Sequence, residues 1–256
     1  MKKLFYILTL LTCTSIYGQL NKLKGKWITI DQDVIIIADT SNSFNRNYLS
    51  NTLLESENFE LVIIGDTLSF RKTFYSLSGT NKIKGISRDD LKVINLTDSI
   101  MELRPVSTLS KSFFQNRAKL VFTKQEFASD SSIQFEKIVF KSSKFLGFPI
   151  YHLQIDKSKL LLLHSPDGYF TKKLSDTSFQ KILNAIQTCN LRTLRMSNEL
   201  CCDGPLTTII VYFNGKRKYF KTMFPPKIVG TLIQALFDVC EEDDLRKTSD
   251  SFKLEE

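Results

Sequence analysis

The stretch Ile209-Ile210-Val211-Tyr212-Phe213-Asn214-Gly215-Lys216-Arg217-Lys218-Tyr219-Phe220 reads as two antiparallel strands joined by a tight turn. Asn-Gly supplies the two positive φ angles that a type I′ turn requires, and an apolar run lies on its N-terminal side. Upstream, residues 135–140, 150–155, 160–163 and 169–174 read as further strands. The segments Asp156-Lys157-Ser158-Lys159 and Ser165-Pro166-Asp167-Gly168 are turns between them. A helix is expected over 178–189, with Phe179, Ile182, Leu183, Ile186 and Cys189 on one face. Asp176 or Thr177 would cap it, and Gln180 would complete a capping box with Thr177. A second helix is expected from Pro226, with Val229, Leu232, Ile233, Leu236, Phe237 and Cys240 along one stripe. Residues 133–240 therefore read as an α+β domain, an antiparallel sheet with two helices on one face.

The preceding half has a different rhythm. Short strands are expected at 27–37, 59–64, 69–75, 91–96, 100–105 and 119–122, with Gly79 and Gly85 punctuating loops. Met101, Leu103 and Pro105 alternate with Ile100, Glu102 and Arg104, and a short helix is expected within 42–55. Residues 19–127 thus read as a mainly-β domain, a small barrel or a curled antiparallel sheet. The polar stretch Phe127-Ala128-Ser129-Asp130-Ser131-Ser132 marks the boundary, and 256 residues suffice for two domains.

Two resemblances follow from short motifs. Leu23-Lys24-Gly25-Lys26-Trp27 resembles the Leu-x-Gly-x-Trp opening of lipocalin-like domains in secreted bacterial proteins, and Leu120-Val121-Phe122-Thr123-Lys124 resembles their closing strand. The resemblance implies a barrel that holds a small apolar ligand, with Gly25 giving a tight entry and Trp27 plugging the closed end near that ligand. The second half resembles a family of exported bacterial proteins of unknown function. Its members carry a Cys-Phe-Gly-x-Cys-Pro-x-Tyr segment and, later, Asp-x-Pro before an Asn-Gly hairpin. Phe145, Pro149, Tyr151, Asp203 and Pro205 fit that pattern, while Lys144 and Phe148 replace the two family cysteines. That resemblance brings no activity with it.

The first eighteen residues, with Lys2 and Lys3 ahead of the apolar run from Leu4 to Leu11, read as a signal peptide cleaved after Gly18. Export to the periplasm, the outer surface or the medium is therefore expected. Thr12 argues against lipid attachment at Cys13, and the run is too short to span a bilayer. Cys189, Cys201, Cys202 and Cys240 remain after cleavage. Export permits disulfides among them, while Cys189 and Cys240, on apolar helix faces, also suit buried thiols. No CxxC or HxxxH spacing points to a metal.

The net charge of +8 is unevenly placed. Residues 131–240 hold fifteen basic and seven acidic side chains, whereas 241–256 hold seven acidic and three basic ones and read as a flexible acidic tail. Lys216, Arg217 and Lys218, interleaved with aromatics, are the candidate surface for an anionic envelope component, and equally suit the guarding of an exposed strand edge against aggregation; export argues against nucleic acid. His152 and His164 flank one turn, and Asp31/Asp33 and Asp89/Asp90 are paired carboxylates near turns. None of these sits in a catalytic or cofactor motif, so no catalytic residue and no cofactor is expected. The protein reads as a non-enzymatic binding protein, for a small apolar ligand at Trp27 or for an anionic envelope component.

Overall fold

The computed structural model describes residues 21–38, 47–51, 56–78, 81–143, 150–196 and 205–255. The chain divides into two units, Met1–Ala128 and Ser129–Glu256, and the division falls within the polar stretch 127–132. The fold is mainly β, with few helices.

The first unit contains β1 (Gly25–Ile28), β2 (Val34–Ile37), β3 (Asn47–Ser50), β4 (Ser56–Ile64), β5 (Thr67–Ser78), β6 (Asn81–Leu96), β7 (Ile100–Pro105) and β8 (Leu120–Lys124). Each strand runs antiparallel to the next, and β1 also pairs with β8 with Trp27 opposite Lys124. The sheet is therefore a closed eight-stranded barrel rather than an open curl. Closure pairs the two strands that would otherwise be edges. Inward residues of successive strands, among them Trp27, Ile35, Leu49, Leu61, Phe70, Leu91, Met101, Leu103 and Phe122, form one core. The alternation read in 100–105 is seen in the burial of β7, where Met101, Leu103 and Pro105 are the buried positions.

Four details of this half differ from the sequence reading. Residues 27–37 are two strands with a turn between them, because Gln32 adopts φ 73 and the Thr29 amide donates to the Asp33 carbonyl. Of the segment 42–55 expected as a helix, residues 47–51 are described, and Asn47–Ser50 are β3, all four of them buried. Gly85 lies inside continuous β6 rather than in a loop, directly opposite Phe74. A Cβ at Gly85 would lie 2.3 Å from the Phe74 ring, so the ring covers the space a side chain would take. A short helix, α1 (Thr108–Phe113), was not expected from the sequence; the Ser107 hydroxyl caps it by accepting from the Ser110 amide.

The second unit is a seven-stranded antiparallel sheet built from β9 (Phe135–Ser142), β10 (His152–Asp156), β11 (Leu160–Ser165), β12 (Gly168–Lys173), β13 (Thr207–Phe213), β14 (Lys216–Thr222) and β15 (Arg246–Thr248). Its order is β14-β13-β9-β10-β11-β12-β15. The β13–β14 turn has Asn214 at φ 51 and Gly215 at φ 67, as a type I′ turn demands. Helix α2 (Asp176–Thr188) is capped by Ser175 rather than by Asp176 or Thr177, through its hydroxyl accepting from the Ser178 amide. Helix α3 (Gly230–Cys240) follows a single 3-10 turn that starts after Pro226. Phe179 of α2 packs edge-on against Phe135, and Phe237 of α3 against Phe140. No helix among the described residues is long and apolar enough to cross a membrane.

The segment read as a flexible tail is part of this sheet. Strand β15 pairs with β12, Thr248 opposite Tyr169, because its backbone completes an edge that would otherwise be bare. Beyond it, Phe252 packs edge-on against Tyr169 and Leu254 is buried.

Candidate functional site

The barrel interior is the first place to look for a site, since closed eight-stranded barrels hold either side chains or one small ligand. Among the described residues, large side chains point into it and pack as one core. Trp27, Phe70, Phe114 and Phe122 are fully buried, and the aromatic rings meet edge-on, Phe59 with Phe70 at 6.0 Å and Phe114 with Phe122 at 6.4 Å between centroids. The Trp27 indole N–H is satisfied within the chain, donating to the Leu23 carbonyl at 2.8 Å. Lys124 lies over the Trp27 ring at 5.7 Å. Gly25, at φ 131, passes so close to this lysine that a Cβ there would come within 2.6 Å of its side chain.

The opposite end of the barrel is closed by α1 and by an ion pair. Asp33, fully buried, receives both terminal nitrogens of Arg117, at 2.7 and 2.8 Å, and a hydrogen bond from the Thr29 hydroxyl. Asp31 pairs with the same guanidinium at 3.2 Å. The Asp31/Asp33 carboxylates thus share one arginine. The hydrogen bond to Asp33 leads the causes that hold the Arg117 pKa above its ordinary value.

The other carboxylate pair separates by strand alternation. Asp89 stands opposite Phe70 and faces the barrel interior, whereas the Asp90 amide and carbonyl bind Ser107 and Val106. No hydrogen bond or ion pair among the described residues reaches the Asp89 carboxylate. Burial pushes its pKa up to about 6, with the charges of Glu57 and Asp90 adding. The folded value lies above the ordinary 3.8, so the folded barrel keeps a proton that the unfolded chain has lost. Stability therefore falls as pH rises from 3.8 to about 6 and stays lower above that. Asp89→Asn is expected to stabilise the barrel by about 1–2 kcal/mol at mildly alkaline pH and to change little around pH 4. Urea unfolding at the two pH values checks this.

The cations of the second unit do not converge as their adjacency in sequence suggested. On a strand, neighbours point to opposite faces, so Arg217 faces away from Lys216 and Lys218. The Lys218 amine donates to the Arg192 carbonyl at 2.8 Å, and burial lowers its pKa. Arg217 pairs with Glu255 at 3.1 Å. The pairing register puts Lys137, Tyr212, Arg217, His152, His164 and Tyr169 on one face of the sheet. The last described residues lie on that face. Glu255 accepts from the Tyr212 hydroxyl at 2.5 Å and from Lys137 at 3.1 Å, and its backbone carbonyl lies 2.8 Å from the His152 Nε2. Burial raises the Glu255 pKa, but these donors outweigh it and hold the carboxyl below its usual range. Glu242 and Asp244 both bind Lys172. The acids of the C-terminal segment thus neutralise part of the unit's own basic excess, which the sequence showed only as two opposed totals.

His152 and His164 stand directly opposite each other, yet His164 stacks on Tyr169 at 4.4 Å and His152 meets Glu255. No group of three or more metal-ligating side chains occurs among the described residues. Cys189 and Cys240 are buried, and their thiols donate to the carbonyls of Ile186 and Leu236. Burial raises the Cys240 pKa far out of the nucleophilic range. Cys201, Cys202, Asp203, residues 144–149 and the N-terminal segment with Cys13 lie outside the described residues.

A different surface was missed in the sequence. From Arg71 to Arg88 the chain has five basic residues and no acid, in RKTFYSLSGTNKIKGISR. This is the β5–β6 hairpin, which runs on past the barrel wall: β4 pairs with β5 only as far as Arg71, and β7 pairs with β6 only from Leu91. Phe74, Tyr75, Ile83 and Ile86 on it are 48, 59, 51 and 48% exposed. The signal was the charge bias of the segment, which Gly79 and Gly85, read as loop markers, concealed.

No family model, curated protein or solved structure matches this chain.

Proposed function

We propose that the protein is an exported, non-catalytic interaction module of the cell envelope, in which the barrel is a solid scaffold rather than a container. The observation that supports this is the packing of the described interior: Trp27, Phe70, Phe114 and Phe122 are all fully buried and belong to one core. Export rests on Lys2, Lys3 and the apolar run from Leu4 to Leu11. In this reading the second unit is an α+β body with α2 and α3 on one sheet face and the C-terminal segment along the other. Both units then act through their surfaces, and the net basic charge suits an anionic partner.

Trp27 is the only tryptophan, so its emission reports on the barrel alone. Titration with a fluorescent fatty acid, and separately with haem, is expected to leave that emission without a saturable change. A saturable, one-to-one quench by either probe would replace this reading with that of a carrier for a small apolar ligand.

A further inference from the structure

We propose that the β5–β6 hairpin, through residues 71–76 and 83–88, docks the protein on an anionic lipid bilayer, with Phe74, Tyr75, Ile83 and Ile86 at the boundary between headgroups and acyl chains. The proposal rests on the interaction-module reading above and names the surface and the partner.

Register decides what the hairpin offers. Arg71 stands opposite Arg88, Thr73 opposite Ile86 and Tyr75 opposite Lys84, all on one face. On the other face Lys72 stands opposite Ser87, Phe74 opposite Gly85 and Ser76 opposite Ile83. Large apolar side chains are thus exposed on both faces of one two-stranded ribbon, Tyr75 and Ile86 on one and Phe74 and Ile83 on the other. A protein partner that packs on one face would leave the other in water. Immersion in a membrane interface covers both faces at once. Aromatic residues with an apolar body and bases with long apolar stems suit that depth.

Charge selects among the possible surfaces. With five bases and no acid in eighteen residues, the hairpin repels a second copy of itself and attracts an anionic one. Lys72 is paired with Glu57 at 2.8 Å, whereas Lys84 and Arg88 are exposed. Backbone sets the depth. Beyond Arg71 the outer edges of the ribbon carry no ladder partner among the described strands, and bare backbone groups are not tolerated in the hydrocarbon core. The hairpin therefore sits among headgroups, where its edges stay hydrated, and does not span.

The purified chain is mixed with vesicles of phosphatidylcholine containing phosphatidylglycerol, and with phosphatidylcholine alone, and the bound fraction is read by flotation. Binding to the anionic vesicles that weakens with salt is expected. Lys84→Gln with Arg88→Gln should lower partitioning by about twenty-five-fold, since each base near an anionic surface contributes about fivefold. Ile86→Ser should lower it further. These positions are exposed, and an unchanged Trp27 emission confirms that the variants fold. In Tyr75→Trp, the new emission should shift to the blue on anionic vesicles. Absence of binding, binding that ignores these substitutions, or binding that follows Lys216, Arg217 and Lys218 instead would overturn the proposal. So would equal binding to soluble polyglutamate without a blue shift, which would assign the hairpin to an acidic macromolecule. None of these outcomes bears on the ligand titration at Trp27, so the two readings fail separately.

Discussion

Replacing Arg117 by methionine lowers the stability of the barrel by about 3–5 kcal/mol. The size of the effect comes from what is left behind. Asp33 is fully buried, and its carboxylate faces a guanidinium that gives two short hydrogen bonds in the planar, bidentate geometry arginine favours. Methionine fills much of the arginine stem's volume but supplies no donor, so a buried charge stands without its counter-ion. The Arg117 Nε also donates to the Phe114 carbonyl at 3.0 Å, which ties the segment after α1 to the same cluster. Unfolding in urea, followed by Trp27 emission, measures the loss in this unit alone. Combining Arg117→Met with Asp33→Asn should recover a large part of it, because the stranded charge is then gone. A loss under about 1 kcal/mol in the single variant would mean that water replaces the guanidinium and that the pair is a surface one.

Phe114→Ala should cost the barrel a similar amount, about 3–5 kcal/mol, for a different reason. Its ring is fully buried and packs edge-on against Phe113 at 4.9 Å and Phe122 at 6.4 Å. It is the plug that α1 sets into one end of the barrel, held there by the Asn51 side chain donating to the Phe113 carbonyl. Truncation leaves a void lined by aromatic edges and aliphatic side chains, which surrounding strands closed into a ring cannot collapse to fill. The same variant should therefore gain weak binding of a small aromatic molecule that the parent lacks, seen as a rise in unfolding midpoint with ligand concentration. A variant as stable as the parent would show that the Phe114 site relaxes.

The β content, the two-part division and the Asn-Gly hairpin were legible because they rest on local signals: alternation in 100–105, a polar stretch at 127–132, and a dipeptide with a strong φ preference. What escaped depended on the environment. The β1–β2 turn places Gln32 at φ 73, an uncommon choice that carries no glycine to announce it. Gly85 looked like a break because its neighbour Phe74, eleven positions away, lends the ring that covers it. The acids of the C-terminal segment read as solvated charge, and only the sheet shows which cations they meet. Trp27 was legible as a residue of the barrel end, but whether the space beside it holds a ligand or side chains depends on Phe59, Phe70 and Phe122, which lie on three other strands. The bases at 216–218 looked like one patch because adjacency in sequence is not adjacency on a pleated strand.

The placement of Glu255 carries a consequence for the order in which the chain matures. In the first unit every pairing but the β1–β8 closure joins consecutive strands, so the barrel can assemble as soon as residue 124 is available. The second unit cannot. Its central strand β9 waits for β13, its edge β12 waits for β15, and the cluster of Lys137, Tyr212 and Arg217 waits for Glu255, more than a hundred residues after Lys137. Pairings so distant along the chain are slow to find and leave apolar surface uncovered meanwhile. During synthesis a finished barrel therefore precedes an unfinished sheet, and the vulnerable interval for proteolysis or aggregation belongs to the second unit.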